Sequence, residues 1–118
     1  MTIAGLRNFC RTKPGSVEDY PFDPVTLVLK VGGKTYALIA LDKTPARINL
    51  KGDPNDNDIL RQQFPSIIPG YHMNKRHWNT IILDGNLPDE FIFDQIDVSY
   101  GMVYEHLPRK VRELIENQ

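Results

Sequence analysis

The order of apolar and polar residues predicts an α+β fold, in which helices pack on one face of a largely antiparallel sheet. The first half of the chain contains short segments that alternate between apolar and polar residues and are joined by tight turns, as antiparallel strands are. Segments with apolar residues three and four positions apart occur near the start, in the middle and toward the end, as in amphipathic helices. We expect the helices to bury one face of the sheet and water to cover the other.

The chain begins with a predicted helix. Thr2 is a suitable N-cap, and the apolar residues that follow fall on one helical face. The residues Lys13-Pro14-Gly15 end this helix. We expect residues 16–24 to form a loop in which Tyr20 and Phe22 turn inward.

Three strands follow in the prediction. Residues 25–31 and 34–41 form a hairpin around Gly32-Gly33, because glycine adopts positive φ without steric cost. Residues 46–51 form the third strand and alternate cleanly. Its inward residues are Ala46, Ile48 and Leu50, and its outward residues are Arg47, Asn49 and Lys51.

The second half of the chain predicts two helices, one further strand and a final short helix. Asp53 caps a helix that has Pro54 in its first position, and residues 78–83 form a strand after a short extended piece at 67–70. The main helix begins at Pro88, and a short one follows Pro108. The predicted buried residues of these helices are Ile59, Leu60, Phe64, Ile92, Ile96, Ser99, Val103, Leu107, Val111, Leu114 and Ile115.

Composition limits the class of protein. The 118 residues are 41% hydrophobic, which suits one domain over residues 1–118. Lys and Arg total 14 against 15 Asp and Glu, so any nucleic-acid binding must depend on a local patch. Cys10 is the single cysteine, and no apolar run is long enough to cross a membrane. We expect a cytoplasmic monomer without a signal peptide, a membrane partner or a cofactor.

The segment at residues 72–80 is the most unusual stretch. It holds two histidines, two cations, two asparagines and the only tryptophan, and leads directly into a strand. Its cations can join those of the sheet face that is predicted to meet water, where Tyr36 and Trp78 lie among them. Cations hold phosphates, and aromatic faces add stacking. The candidate nucleic-acid-binding residues are Lys30, Lys34, Arg47, Lys51, Asn74, Lys75, Arg76, Trp78 and Asn79. The alternative is an ordinary polar face whose lysines prevent aggregation at strand edges.

Other kinds of site have less support. His72 and His77 have no cysteine beside them and too few carboxylates for a zinc site, so no metal is expected. The acidic run from Asp53 lacks the glycine and glutamate that a calcium loop needs at its sixth and twelfth positions. No serine lies in a nucleophile motif, so we expect no catalytic residues. A small-ligand or enzymatic pocket near Tyr71, His72 and His77 remains a third, weaker possibility.

Several motifs together resemble the MmcQ/YjbR-like family of small bacterial proteins over nearly the whole chain. They are Lys13-Pro14-Gly15, Leu60-Arg61-Gln62-Gln63, the segment from His72 to Thr80, Leu83-Asp84-Gly85, Leu87-Pro88-Asp89 and Ser99-Tyr100. The resemblance implies a frataxin-like (CyaY-like) α+β fold. It also implies DNA binding, through a double-wing surface made of β-hairpins.

The leading hypothesis is therefore a non-catalytic module that binds double-stranded DNA through its hairpins and basic sheet face. The alternative is a protein-interaction module that presents Trp78 and the same basic face to an acidic partner. Frataxins bind iron through an acidic ridge on the first helix. Residues 2–12 of this chain contain no Asp or Glu and include Arg7 and Arg11, which argues against inherited iron binding.

Overall fold

The computed structural model describes residues 1–70 and 73–118. Four helices and six strands follow one another along the chain. They are α1 (Ile3–Arg11), β1 (Ser16–Asp19), β2 (Thr26–Val31), β3 (Lys34–Ala40), β4 (Arg47–Lys51), α2 (Pro54–Gln63), β5 (Ile67–Pro69), β6 (Trp78–Ile82), α3 (Asp89–Glu105) and α4 (Arg109–Glu116).

The predicted α+β class is confirmed. The six strands form one antiparallel sheet in the order β1-β2-β3-β4-β6-β5. Apolar residues pair across neighbouring strands on the helical face, where Ile39 lies opposite Ile48 and Ile48 lies opposite Ile81. The stripe predicted for α3 is buried with them, from Ile92 through Ser99 to Leu107. Burial of this shared face is the main source of stability.

The predicted N-caps of α1 and α2 are also confirmed, whereas Pro88 is the N-cap of α3 rather than its first residue. The Thr2 hydroxyl accepts a hydrogen bond from the Gly5 amide at 3.0 Å, and the Asp53 carboxylate accepts from the Asn55 and Asp56 amides. These bonds satisfy amides that have no partner inside the helix. Gly32 and Gly33 both have positive φ in the β2–β3 turn, as the hairpin prediction requires.

The region before β2 differs from the prediction. Ser16–Asp19 forms the edge strand β1 rather than a loop, because pairing with β2 outweighs the weak strand propensity of its polar residues. Tyr20 and Phe22 do not turn inward, and Phe22 is 73% exposed. Ile59 and Leu114 are likewise exposed rather than packed, so helical spacing overestimated the apolar faces of α2 and α4.

The second face of the sheet is less open than expected. Val28, Leu38 and Thr80 lie on the face opposite the helices, yet all three are buried. A cleft of about 550 Å³ lies on this face, with Leu38 and Asn49 in its lining and Phe22 and Met73 at its sides. Only part of this face therefore meets water.

The sheet splits between β3 and β4 at one end. Tyr36 is an extra residue in β3, because Leu29 pairs with Ala37 while the next residue of β2 pairs with Thr35. The β3–β4 ladder stops at the pair of Ala37 and Leu50. Beyond it the buried Ser99 hydroxyl donates to the Tyr36 carbonyl at 2.5 Å and accepts from the Lys51 amide at 2.8 Å. A side chain of α3 thus replaces a direct bond between the two strands.

Candidate functional site

Four cations gather at the end of the sheet where it splits. Lys34 begins β3 after the hairpin turn, and Lys51 is the last residue of β4. Lys51 pairs with Trp78, the first residue of β6, and the Gly52 amide donates to the His77 carbonyl at 2.9 Å. Lys75 and Arg76 lie in the turn just before Trp78. We refer to Lys34, Lys51, Lys75 and Arg76 as the cationic end of the sheet.

The turn that carries Lys75 and Arg76 is held through its own backbone. The Asn74 side-chain oxygen accepts from the Arg76 amide at 2.9 Å and from the His77 amide at 3.2 Å. Such a bond from an asparagine side chain stabilises a tight turn. Because these contacts involve backbone groups, they leave the side chains of Lys75, Arg76 and His77 exposed.

Helix α2 fixes the same turn from the other side. The Arg61 guanidinium donates to the Lys75 carbonyl at 3.0 Å, and the side-chain nitrogen of Asn57 donates to the Arg76 carbonyl at 3.0 Å. Asn57 and Arg61 are four residues apart and therefore lie on one helical face. Their polarity alone did not indicate that they hold the turn that carries Lys75 and Arg76. These two positioning residues were missed in the sequence because their partners are backbone carbonyls.

The cationic end carries positive charge that no described carboxylate neutralises. Over residues 1–70 and 73–118, none of its four cations lies within 4.0 Å of a carboxylate oxygen. Lys30 differs, since its ammonium donates to the Asp19 carboxylate at 2.9 Å. This hydrogen bond lowers the pKa of Asp19 below its ordinary value. The charge of Lys30 is therefore already matched by a carboxylate.

Arg47 also lies away from the cationic end. It is the first residue of β4, whereas Lys51 is the last, so at roughly 3.3 Å per residue the two are about 13 Å apart. Its Nε atom is buried, with no hydrogen-bond acceptor among the described residues. Asn49 lies between them on the same face, and its side-chain oxygen accepts from the Thr80 hydroxyl. Arg47, Asn49 and Lys51 therefore lie on one face of the sheet, as predicted, but they do not form a single cluster.

Two of the aromatic and amide predictions need correction. Tyr36 is fully buried and faces the helices, because the bulge turns it toward α3, where it packs edge-on against Tyr100 at 5.3 Å. Asn79 is buried as well, and its side chain accepts from Arg61 at 2.7 Å and donates to the Asn57 carbonyl at 3.3 Å. Neither residue is available to an external partner. Trp78 is half-buried, and Asn74 is exposed.

The predicted pocket near Tyr71, His72 and His77 cannot be described as a whole. Tyr71 and His72 lie outside the described residues, and His77 is exposed. Within the described ranges, no three side chains of His, Cys, Asp or Glu are grouped as metal ligands would be. No described helix is long and apolar enough to cross a membrane.

The fold and the site define an α+β domain that carries its helices on one face of a six-stranded antiparallel sheet. At one end of the sheet lie cations that have no described carboxylate partner. The YjbR family model matches residues 11–102, and the chain belongs to this family. It is 35% identical to the uncharacterized protein YjbR of Escherichia coli K12 over 115 residues, with 98% of each chain covered. It is 30% identical to the uncharacterized protein YyaQ of Bacillus subtilis, covering 86% of this chain and 98% of the relative.

Solved structures agree with this assignment. The crystal structure of Deinococcus radiodurans protein DR2400, a DUF419 domain, aligns with a TM-score of 0.92 at 40% identity and covers 98% of this chain and 88% of that one. A solution NMR structure from Pseudomonas syringae aligns with a TM-score of 0.76 at 30% identity, covering 92% and 98%. These neighbours support the fold across nearly the whole chain.

Proposed function

We propose that the protein binds double-stranded DNA through the cationic end of the sheet and performs no catalysis. One observation carries the proposal: four cations lie at the same end of the sheet with no carboxylate partner among the described residues, whereas Lys30 and the arginines of α1 are paired. A phosphate backbone is attracted by charges of this kind, and fixed positions reduce the entropy lost on binding.

The proposed contacts divide into two kinds. Lys34, Lys51, Lys75 and Arg76 hold phosphates, while Trp78 and Asn74 contact sugar or base. Lys30 and Arg47 contribute little, because the first is ion-paired and the second lies at the far end of β4. Asn79 acts indirectly by holding Arg61. With a formal net charge of -1, the protein is expected to bind weakly and to lose affinity steeply as salt rises.

The β2–β3 hairpin adds support to the same proposal. The family resemblance implies a frataxin-like (CyaY-like) fold and, separately, a double-wing DNA-binding surface made of β-hairpins, of which the β2–β3 hairpin would be one wing. The hairpin turn at Gly32-Gly33 is exposed and leads directly to Lys34. In this proposal, Lys34 is the residue of the wing that contacts the phosphate backbone.

The test compares two double variants that remove the same formal charge. Lys75→Gln with Arg76→Gln takes two cations from the cationic end. Arg11→Gln with Lys30→Gln takes one arginine and one lysine that already have carboxylate partners. Fluorescence anisotropy of a labelled mixed-sequence duplex is measured at about 50 and about 200 mM salt. The slope of log affinity against log salt falls by roughly 0.9 for each phosphate that a variant no longer neutralises.

We expect the first variant to reduce affinity at least tenfold at the lower salt and to flatten the salt slope by about two units. The second variant should stay near wild type. Equal losses in the two variants would refute the assignment, because general charge would then explain binding. Poly-glutamate serves as a competitor of similar charge. An acidic protein is the better partner if it displaces the duplex at equal charge concentration.

A further inference from the structure

The split between β3 and β4 opens a hollow beside the cationic end. Its volume is about 230 Å³. Lys34, Thr35 and Lys51 line it from the sheet, and Val103, His106 and Leu107 line it from the end of α3. These groups come from separate parts of the chain and meet only because the ladder stops at Ala37 and Leu50.

The polar groups of the hollow are suited to an oxyanion. Its described lining contains two ammonium groups, a hydroxyl and an imidazole, and it contains no carboxylate. Lysine offers three donors and no acceptor, and threonine can donate one hydrogen bond. Val103 and Leu107 form an apolar base that lowers the local dielectric and strengthens these interactions.

The imidazole of His106 is held by its own helix. Its Nδ1 atom lies 2.7 Å from the Met102 carbonyl oxygen, which can only accept a hydrogen bond. Nδ1 therefore carries the proton in this contact, and Nε2 is the ring nitrogen that remains for a ligand.

The end of α3 is the main opposing charge. A helix C-terminus carries about half a negative charge, and Glu105 is an exposed neighbour in the sequence. Two lysine charges exceed that half charge. The Val103 and Tyr104 carbonyls are also engaged already, since they accept from the His106 and Leu107 amides. The net charge around the hollow is therefore positive.

We propose that this hollow seats one phosphate group of the DNA backbone, and this inference rests on the function proposed above. It adds His106 and Thr35 to the binding surface, neither of which belongs to the cationic end. Lys51 connects the two, because it lines the hollow and pairs with Trp78 beside the turn. The phosphate path thus runs from the hairpin through the hollow to Lys75 and Arg76.

The first experiment uses inorganic phosphate as the probe. Imidazole resonances are followed by heteronuclear NMR while phosphate is added at constant pH and ionic strength, and His106→Gln identifies the His106 signal. We expect a saturable shift of the His106 signal and a much smaller one for His77, which is exposed like His106 but does not line the hollow. Equal shifts of both rings, or no shift of His106, would overturn the seat.

The second experiment measures duplex affinity for His106→Gln and Thr35→Val, with His77→Gln as the matched control. Each variant of the hollow should weaken binding about threefold, and the control should match wild type. Circular dichroism confirms that each variant is folded. If wild type binds duplex but neither hollow variant differs from it, the seat is wrong and the DNA function stands.

The duplex and phosphate titrations together distinguish a failure of the DNA function from a failure of the phosphate seat. If no duplex binds at low salt while phosphate still shifts His106 alone, the DNA function fails and so does the assignment of this phosphate to DNA. The hollow would then take a free phosphate ester. Titration with a nucleoside monophosphate in place of inorganic phosphate identifies that case.

Discussion

The cations of the α1–β1 region and those of the cationic end have different partners. On the side of α1 and β1, Arg7 forms two hydrogen bonds with Glu18, at 2.7 and 2.8 Å, and Arg11 approaches the same carboxylate at 3.5 Å. Lys30 pairs with Asp19 on the neighbouring strand. At the cationic end, Lys75 and Arg76 have no described carboxylate partner, and hydrogen bonds fix only their backbone.

Under the proposed function, a binding surface is distinguished by cations that lack carboxylate partners rather than by the total number of cations. The whole chain has a formal net charge of -1 and would not be selected as a DNA-binding protein by composition. The α1–β1 side uses its carboxylates to connect a helix to an edge strand. The cationic end instead uses amides and carbonyls for structure, which leaves its charges free for a partner.

The largest effect on stability is expected from substituting Ser99, which bridges β3 and β4 where their ladder ends. Ser99→Ala removes the hydroxyl that joins the Tyr36 carbonyl to the Lys51 amide. The buried Tyr36 carbonyl and the half-buried Lys51 amide would both lose this partner, so the free energy of unfolding should fall by about 2 to 3 kcal/mol. Urea denaturation followed by circular dichroism measures the loss.

Ser66→Ala is the matched control for that variant. Ser66 is buried as well, but its hydroxyl donates to the exposed Asp84, which water can solvate after the substitution. The control should lose about 1 kcal/mol or less. If Ser99→Ala were no more destabilising than Ser66→Ala, the Ser99 hydroxyl would not be an important link between the two strands.

The fold was predictable from the sequence because its signals are local. Alternation in residues 46–51, glycines at 32 and 33, and caps at Thr2 and Asp53 each specify a nearby backbone conformation, and the structure has all of them. The strand β1 was missed because its stability comes from pairing with β2, which lies beyond a loop. Local propensity does not contain that information.

The candidate site was predictable only in part. Lys34, Lys51, Lys75 and Arg76 were identified by residue type, but the sequence does not show which cations have carboxylate partners. The bulge at Tyr36 reverses the expected direction of that side chain, and one extra residue in a strand leaves little trace in an alternating pattern. The sequence did not indicate His106 as part of the hollow, because its neighbours there are distant in sequence.

A smaller effect is expected from breaking the paired side. Glu18→Gln removes the carboxylate that receives Arg7 and Arg11, and unfolding free energy at pH 7 should fall by about 1 kcal/mol, since the pair is partly exposed. Glu113→Gln is the control, because its pair with Arg109 on α4 is far more exposed. The control should change stability by much less.

The same variant predicts a pH dependence. The Arg7 hydrogen bond lowers the pKa of Glu18 below its ordinary value of about 4.3. A lowered folded pKa contributes stability above the unfolded pKa, and this is lost as pH falls through the folded pKa. The stability difference between wild type and Glu18→Gln should therefore be full at pH 7 and shrink once the pH drops below about 4. A constant difference down to pH 2 would contradict the ion pair.

The smallest effect comes from converting a paired cation into a free one. Asp19→Asn releases Lys30 while an amide oxygen can still accept from the Tyr20 backbone. Lys30 lies next to the last residue of β2, near the hairpin that leads to Lys34, so we expect duplex affinity at about 50 mM salt to rise about twofold. Anisotropy titration measures the change.

Asp97→Asn is the control for this release, because it adds the same charge by freeing Lys13 on the helical side of the sheet. A gain from Asp19→Asn alone would show that a cation near the hairpin binds DNA once it loses its carboxylate. Equal gains from both variants would mean that net charge governs affinity. The contrast between paired and free cations would then have no functional meaning, because any added positive charge would serve as well as one at the cationic end.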